Sequence, residues 1–190
     1  MFRQMKTMAE SLGNTTHLSP LLRKTRRLGL EDPAALLRLA VRRGCRHYTP
    51  GDYDEASVFD PGNDRLSDAE LAIALISGAQ TYDPQLVRCA AQLLGGPDLR
   101  PRTVARLATM ERCVATLRHI AEAGLRYDQE YQDFWREILT ALPISRAAVP
   151  RGVLPHPTRF VSQSGAVRGQ RAGGRIVWLR PSSGGMTKRV

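Results

Sequence analysis

The chain has 190 residues, of which 42% are hydrophobic, and its formal net charge is +10. A chain of this length has room for one hydrophobic core with an appended tail. Its apolar runs fall far short of the roughly 20 residues that cross a bilayer, so the sequence predicts no membrane-spanning helix and no membrane partner.

Charge is divided into three blocks along the chain. Residues 1–50 hold ten Lys/Arg against three Asp/Glu, residues 51–150 hold ten against fifteen, and residues 151–190 hold eight against none. An acidic middle between two basic ends is typical of a protein whose ends bind a polyanion. The pattern does not distinguish DNA from RNA.

Local start and stop signals predict a mostly α, compact domain of about six helices over residues 19–142, after a flexible segment 1–18. Ser or Asp followed by Pro marks the start of several helices, and Ser67 with Glu70 matches a capping box. The third helix contains LAIALI, which is apolar on every side, so we expect it at the centre of the domain. The predicted helices cover, in chain order, residues 20–28, 33–43, 68–77, 84–94, 101–123 and 128–142, with Gly124 ending the fifth and Asp128 capping the sixth.

The irregular segment 45–65 is the one place where an enzyme site could lie. It holds Cys45, His47 and several carboxylates, but the Cys–His pair has no matching second half for a metal site. The chain also lacks a P-loop, HExxH and GxSxG. We therefore expect no catalytic residues, no metal and no cofactor, and an enzyme is the third and least favoured hypothesis.

The composition changes after Pro143, and we predict a basic, Gly/Arg-rich tail over residues 143–190. Residues 158–163 and 175–180 have the β-branched and aromatic content of strands, and together they could form a β-hairpin. An isolated two-stranded hairpin is marginal in water. It would have to dock on the helices through Phe160, Ile176 and Trp178, or become ordered on a partner.

The basic residues of both ends are the candidate nucleic-acid-binding residues. Arginine binds phosphate with two parallel hydrogen bonds, and an exposed tryptophan can stack on an unpaired base. A winged helix is disfavoured, because the helix before the predicted hairpin carries four carboxylates that a phosphate backbone would repel. The predicted set is Arg23, Lys24, Arg26, Arg27, Arg38, Arg42, Arg159, Arg168, Arg171, Arg175, Arg180 and Trp178.

These features favour a small non-enzymatic protein that binds nucleic acid or assembles a nucleoprotein through its basic ends. The alternative is a protein-interaction adaptor, or a subunit of a larger complex, whose C-terminal tail becomes ordered on a partner protein. Three widely spaced cysteines form a poor disulfide framework, and the N-terminal residues lack the apolar stretch of a secretory signal. We therefore expect a cytoplasmic protein.

Overall fold

A computed structural model describes residues 19–45, 66–80, 83–144, 153–164 and 175–181. Within these ranges the chain forms seven α-helices, a short 3-10 helix and a two-stranded sheet, which confirms the mostly α fold with a C-terminal hairpin. The predicted flexible segment 1–18 lies outside the described residues. In chain order the elements are α1 (Pro20–Arg27), α2 (Pro33–Arg42), α3 (Asp68–Leu75), α4 (Pro84–Leu94), α5 (Pro101–Met110), α6 (Val114–Tyr127), α7 (Gln132–Ala141), the 3-10 helix (Pro157–Phe160), β1 (Val161–Ser164) and β2 (Arg175–Trp178).

The first four helices begin where the sequence predicts, because each has a side chain that satisfies an otherwise unbonded backbone N–H. The side chains of Ser19, Asp32 and Asp83 each accept a hydrogen bond from the first turn of α1, α2 and α4. Ser67 and Glu70 form the predicted capping box at the start of α3.

Helix α3 is buried on every side, as its apolar sequence predicts. Its residues 71–75 are fully buried, and the helix contacts α1, α2, α4 and α5. Helices α5, α6 and α7 pack on one another, and α6 also contacts the 3-10 helix and β2. One cluster of apolar side chains therefore extends from α1 to β2.

The predicted fifth helix is wrong in its extent, because the structure divides it into α5 and α6. Between them Arg112 has a φ of 56°, in the left-handed region that a continuing helix does not use. The turn is held by the Cys113 N–H, which donates to the Ala108 carbonyl at 3.0 Å, and by the Gly78 N–H, which donates to the Glu111 carbonyl at 3.0 Å. The helix ends here because α5 and the turn after α3 meet at this point.

Gly124 and Asp128 also differ from the prediction. Gly124 lies inside α6, and a Cβ at this position would overlap the indole ring of Trp135. The glycine is therefore explained by the close approach of α7, not by the end of a helix. Asp128 follows α6, whereas Tyr131 occupies the N-cap of α7 without a side-chain capping bond.

The hairpin packs on the helices through two aromatic side chains. β1 and β2 are antiparallel, with Val161 opposite Trp178. Phe160 and Trp178 are buried in the same cluster as the helices, whereas Ile176 is 44% exposed. The hairpin therefore docks on the chain's own helices through two of its three expected anchors.

Candidate nucleic-acid interface

Four of the candidate arginines lie on the solvent side of α1 and α2; we call Arg23, Arg27, Arg38 and Arg42 the α1–α2 arginine set. Each helix contributes two arginines spaced four residues apart, so their side chains are neighbours one turn apart on the helix surface. All four are exposed. The buried side of each helix faces the core, through Leu21 and Thr25 of α1 and through Leu36, Leu37, Leu39 and Ala40 of α2.

Three members of the set carry uncompensated charge within the part of the chain that the structure describes. Arg23, Arg27 and Arg38 form no ion pair with any carboxylate there. A guanidinium group binds phosphate or carboxylate through paired hydrogen bonds. These three side chains are therefore available to an external anion.

Two other candidates on α1 are held by the protein's own carboxylates. Lys24 Nζ lies 2.7 Å from both carboxylate oxygens of Glu70, and Arg26 Nε lies 3.1 Å from Glu31 Oε1. The Lys24 pair joins α1 to α3, so it stabilises the position of α1 on the body. An external anion would have to compete with these pairs.

The Lys24–Glu70 pair also changes the ionisation of Glu70. Burial alone would raise the pKa of Glu70, but hydrogen bonds from Lys24 and from the Ser67 N–H outweigh burial and lower that pKa. The carboxylate is therefore charged throughout the neutral range and remains so into mild acid.

Replacing Glu70 with Gln is expected to lower the free energy of unfolding by at most about 1 kcal/mol at neutral pH. Glutamine keeps the capping box, so the change isolates the loss of charge opposite Lys24. Because the folded-state pKa is lowered, this stabilisation is present above the ordinary glutamate pKa of about 4.3 and is lost as the pH falls through the folded-state value. Urea unfolding at neutral pH and in acid measures the difference, and a difference that persists unchanged in acid would contradict this explanation.

The structure places two C-terminal candidates inside the molecule. Trp178 is 2% exposed, and its Nε1 donates a hydrogen bond to the Ala91 carbonyl at 3.1 Å. Its ring packs 5.1 Å from the ring of Trp135 and 5.7 Å from that of Phe160, measured between centroids. Because the indole is enclosed, it has no free face on which a base could stack, which corrects the prediction of Trp178 as a nucleic-acid contact.

Arg180 is engaged in a cluster with the loop before α7. Its Nη2 lies 2.7 Å from Asp128 Oδ1 and 3.4 Å from Glu130 Oε2, and its Nε donates to the Gly95 carbonyl at 3.0 Å. The guanidinium also lies over the ring of Tyr131, 4.6 Å from its centroid. Arg180 therefore attaches the segment after β2 to the helices, and Asp128 and Glu130 already neutralise its charge.

The remaining candidates divide into one exposed residue and three that are not fully described. Arg159 is exposed on the 3-10 helix. Arg168 and Arg171 lie outside the described residues, as does the side chain of Arg175, whose backbone begins β2. The 3-10 helix and α2 both contact α4, so Arg159 and the arginines of α2 lie on elements that share one neighbouring helix.

The described residues hold no group of three or more His, Cys, Asp or Glu side chains that could bind a metal. His47 and most of the segment 45–65 fall outside those residues, so the structure gives no geometry for an enzyme site there. None of the helices it does describe is both long enough and apolar enough to cross a bilayer.

Comparison of the chain with protein-family models, with curated proteins and with solved structures finds no match. Function therefore has to be inferred from the chemistry of this chain.

Proposed function

We propose that this chain is a small, non-enzymatic, cytoplasmic protein that binds nucleic acid, or assembles a nucleoprotein, by contacting backbone phosphates with the α1–α2 arginine set. The observation that carries the proposal is the exposure of Arg23, Arg27 and Arg38 without a carboxylate partner among the described residues. Neighbouring Lys24 and Arg26 have such partners. An arrangement that leaves some cations free while neutralising others favours an external anion.

Phosphate contacts of this kind set affinity and orientation, and they carry no direct sequence information. Arg159 and the basic residues of 151–190 are further phosphate contacts in this proposal. Trp178 has no part in it, and Arg180 contributes only by holding the hairpin in place. We expect binding to single strands and duplexes alike, with little base preference.

Salt dependence provides the direct test, because each phosphate contact on duplex DNA contributes about −0.9 to the slope of log affinity against log salt. Replacing Arg23, Arg27 and Arg38 together with alanine is expected to make that slope shallower by about 2–3. Fluorescence anisotropy of a labelled duplex, repeated over a series of salt concentrations, measures the slope for both proteins.

The control for this test removes the same amount of charge from another part of the surface. Arg102, Arg106 and Arg136 are exposed on α5 and α7, and replacing all three with alanine leaves the α1–α2 arginine set intact. The wild-type protein should bind at low salt, and the control variant should keep most of the slope. Absence of binding at low salt, or an equal loss in the two triple variants, would refute the proposal.

Truncation before the hairpin is not a usable test of the tail. Because Phe160 and Trp178 belong to the core, removing them would destabilise the helices that carry the arginines. Charge reversal of exposed Arg159 tests a tail contact without disturbing the core.

A protein-interaction adaptor is the second candidate, and it is favoured by the exposed apolar side chain of Ile176 on β2. A partner protein seated on the hairpin would cover this residue. Under this hypothesis Ile176→Ser weakens binding of the partner protein, and the triple replacement of Arg23, Arg27 and Arg38 does not. The nucleic-acid hypothesis predicts instead that the triple replacement weakens binding of nucleic acid and that Ile176→Ser does not.

A further inference from the structure

Two of the three cysteines lie against each other in the core. Cys45 and Cys89 are 3% and 1% exposed. Cys45 Sγ donates a hydrogen bond to the Cys89 carbonyl oxygen at 3.7 Å. Cys113 is bonded differently, since its Sγ donates to the Ala108 carbonyl at 3.6 Å.

The backbone fixes both members of the pair. Cys45 lies just beyond the end of α2, after Gly44, whose φ of 88° turns the chain. The N–H of Cys45 donates to the Ala40 carbonyl at 3.0 Å. Cys89 lies in the interior of α4, which contacts α2. Helix packing therefore brings the Cys45 sulfur against Cys89, although the residues are 44 positions apart in sequence.

We propose that Cys45 and Cys89 are a modification site, at which a low-molecular-weight disulfide such as glutathione disulfide forms a reversible disulfide bond between them. The thiolate of one cysteine attacks one sulfur of glutathione disulfide, which forms a mixed disulfide and releases one glutathione thiolate. The thiolate of the other cysteine then attacks the protein sulfur of the mixed disulfide and releases the second glutathione thiolate. The two cysteines are oxidised, glutathione disulfide is reduced, and the two protons lost by the cysteines end on the two glutathione molecules.

Either thiol of the pair can be the first to attack, because both routes give the same disulfide. Burial raises the pKa of Cys113 to about 12, which makes this thiol a poor nucleophile and Cys113→Ala a suitable control. Since all three sulfurs are buried, reaction requires local opening of the core and is expected to be slow.

The bond would attach the end of α2 covalently to α4. It depends only on the two thiols and stands whether or not α2 binds nucleic acid. Disulfides persist in oxidising surroundings and are rare where glutathione keeps thiols reduced, so in the cytoplasm the pair would be oxidised only under stress.

The test treats the folded, reduced, full-length chain with glutathione disulfide and then blocks the remaining thiols. Intact mass measures the loss of two hydrogen atoms, and a tryptic digest locates the bond. Cleavage after arginine, but not before proline, separates the three cysteines into peptides 44–46, 89–102 and 113–118. The variants are Cys45→Ala and Cys89→Ala, with Cys113→Ala as the matched control.

The expected result is a cross-link between peptides 44–46 and 89–102 in the wild-type and Cys113→Ala proteins, which dithiothreitol reverses. Each of the other two variants should lose the cross-link completely. The proposal is overturned if the wild-type protein stays reduced, keeps glutathione on one cysteine, links Cys113, or forms the bond only after unfolding in urea. If a variant does not fold, the peptide map of the wild-type protein decides alone.

Discussion

Replacing Trp178 with alanine is expected to reduce the free energy of unfolding by about 3–5 kcal/mol, because it removes the largest side chain that joins the hairpin to the helices. The indole is 2% exposed and packs against Trp135 and Phe160. Its loss also leaves the buried Ala91 carbonyl without the hydrogen bond that Nε1 donates. The cavity and the unpaired carbonyl both lower the free energy of unfolding.

Urea unfolding, followed by circular dichroism, measures this effect. Ile176→Ala is the matched control, because Ile176 lies two residues away on the same strand and is 44% exposed. That change should cost about 1 kcal/mol or less. Similar small losses for both variants would show that the hairpin does not contribute to the core.

Replacing Asp128 with alanine is expected to lower the free energy of unfolding by about 2–4 kcal/mol, because one buried carboxylate serves two donors. Asp128 is 2% exposed, accepts from Trp135 Nε1 at 3.0 Å and pairs with Arg180 at 2.7 Å. Without it the indole N–H has no acceptor and the partly buried guanidinium loses its nearest counter-charge. This loss of unfolding free energy is smaller than the loss expected when a fully buried ion pair is broken, because Arg180 is still in contact with solvent.

The control is Asp133→Ala, which removes an exposed carboxylate that pairs with Arg136 on α7 and should change stability by about 0.5 kcal/mol or less. A double-mutant cycle with Arg180→Met then isolates the energy that Asp128 and Arg180 share. If the two changes are additive, the pair does not hold the hairpin, and Asp128 acts through Trp135 alone.

Helix starts could be predicted from the sequence because the signals are local. Ser19, Asp32 and Asp83 satisfy N–H groups two or three residues away, so the neighbouring sequence contains all the necessary information. The burial of α3 could also be predicted from the sequence, since LAIALI has no polar side to expose.

The break between α5 and α6 could not be predicted in the same way. Apolar residues recur at helical spacing through both helices, and the cause of the break is a contact between Gly78 and Glu111, which are distant in sequence. The prediction that Gly124 ends a helix is wrong for the same reason. A glycine that ends a helix and a glycine that admits an indole ring from another helix look identical in one sequence.

The candidate interface likewise has features that are local in sequence and features that only the fold creates. The sequence identifies Arg23 and Lys24 as adjacent cations on one basic helix, and both are present on the surface of α1. Only the fold brings Glu70 to Lys24 while Arg23 has no such partner among the described residues. The sequence of Trp178 and its neighbours fits both an anchor of the hairpin and a stacking platform, and only a docking contact that one sequence does not reveal separates the two.

The hydrogen bond between Trp178 and Ala91 also has a consequence for biosynthesis. The two residues are separated by 87 positions, so a ribosome adding about 5–20 residues per second makes the indole about 4–17 s after its acceptor. During that interval the nascent helices have an apolar recess that nothing yet covers. Chaperone engagement and misassembly should therefore be concentrated in this window, and slowing translation between α7 and β2 should prolong it.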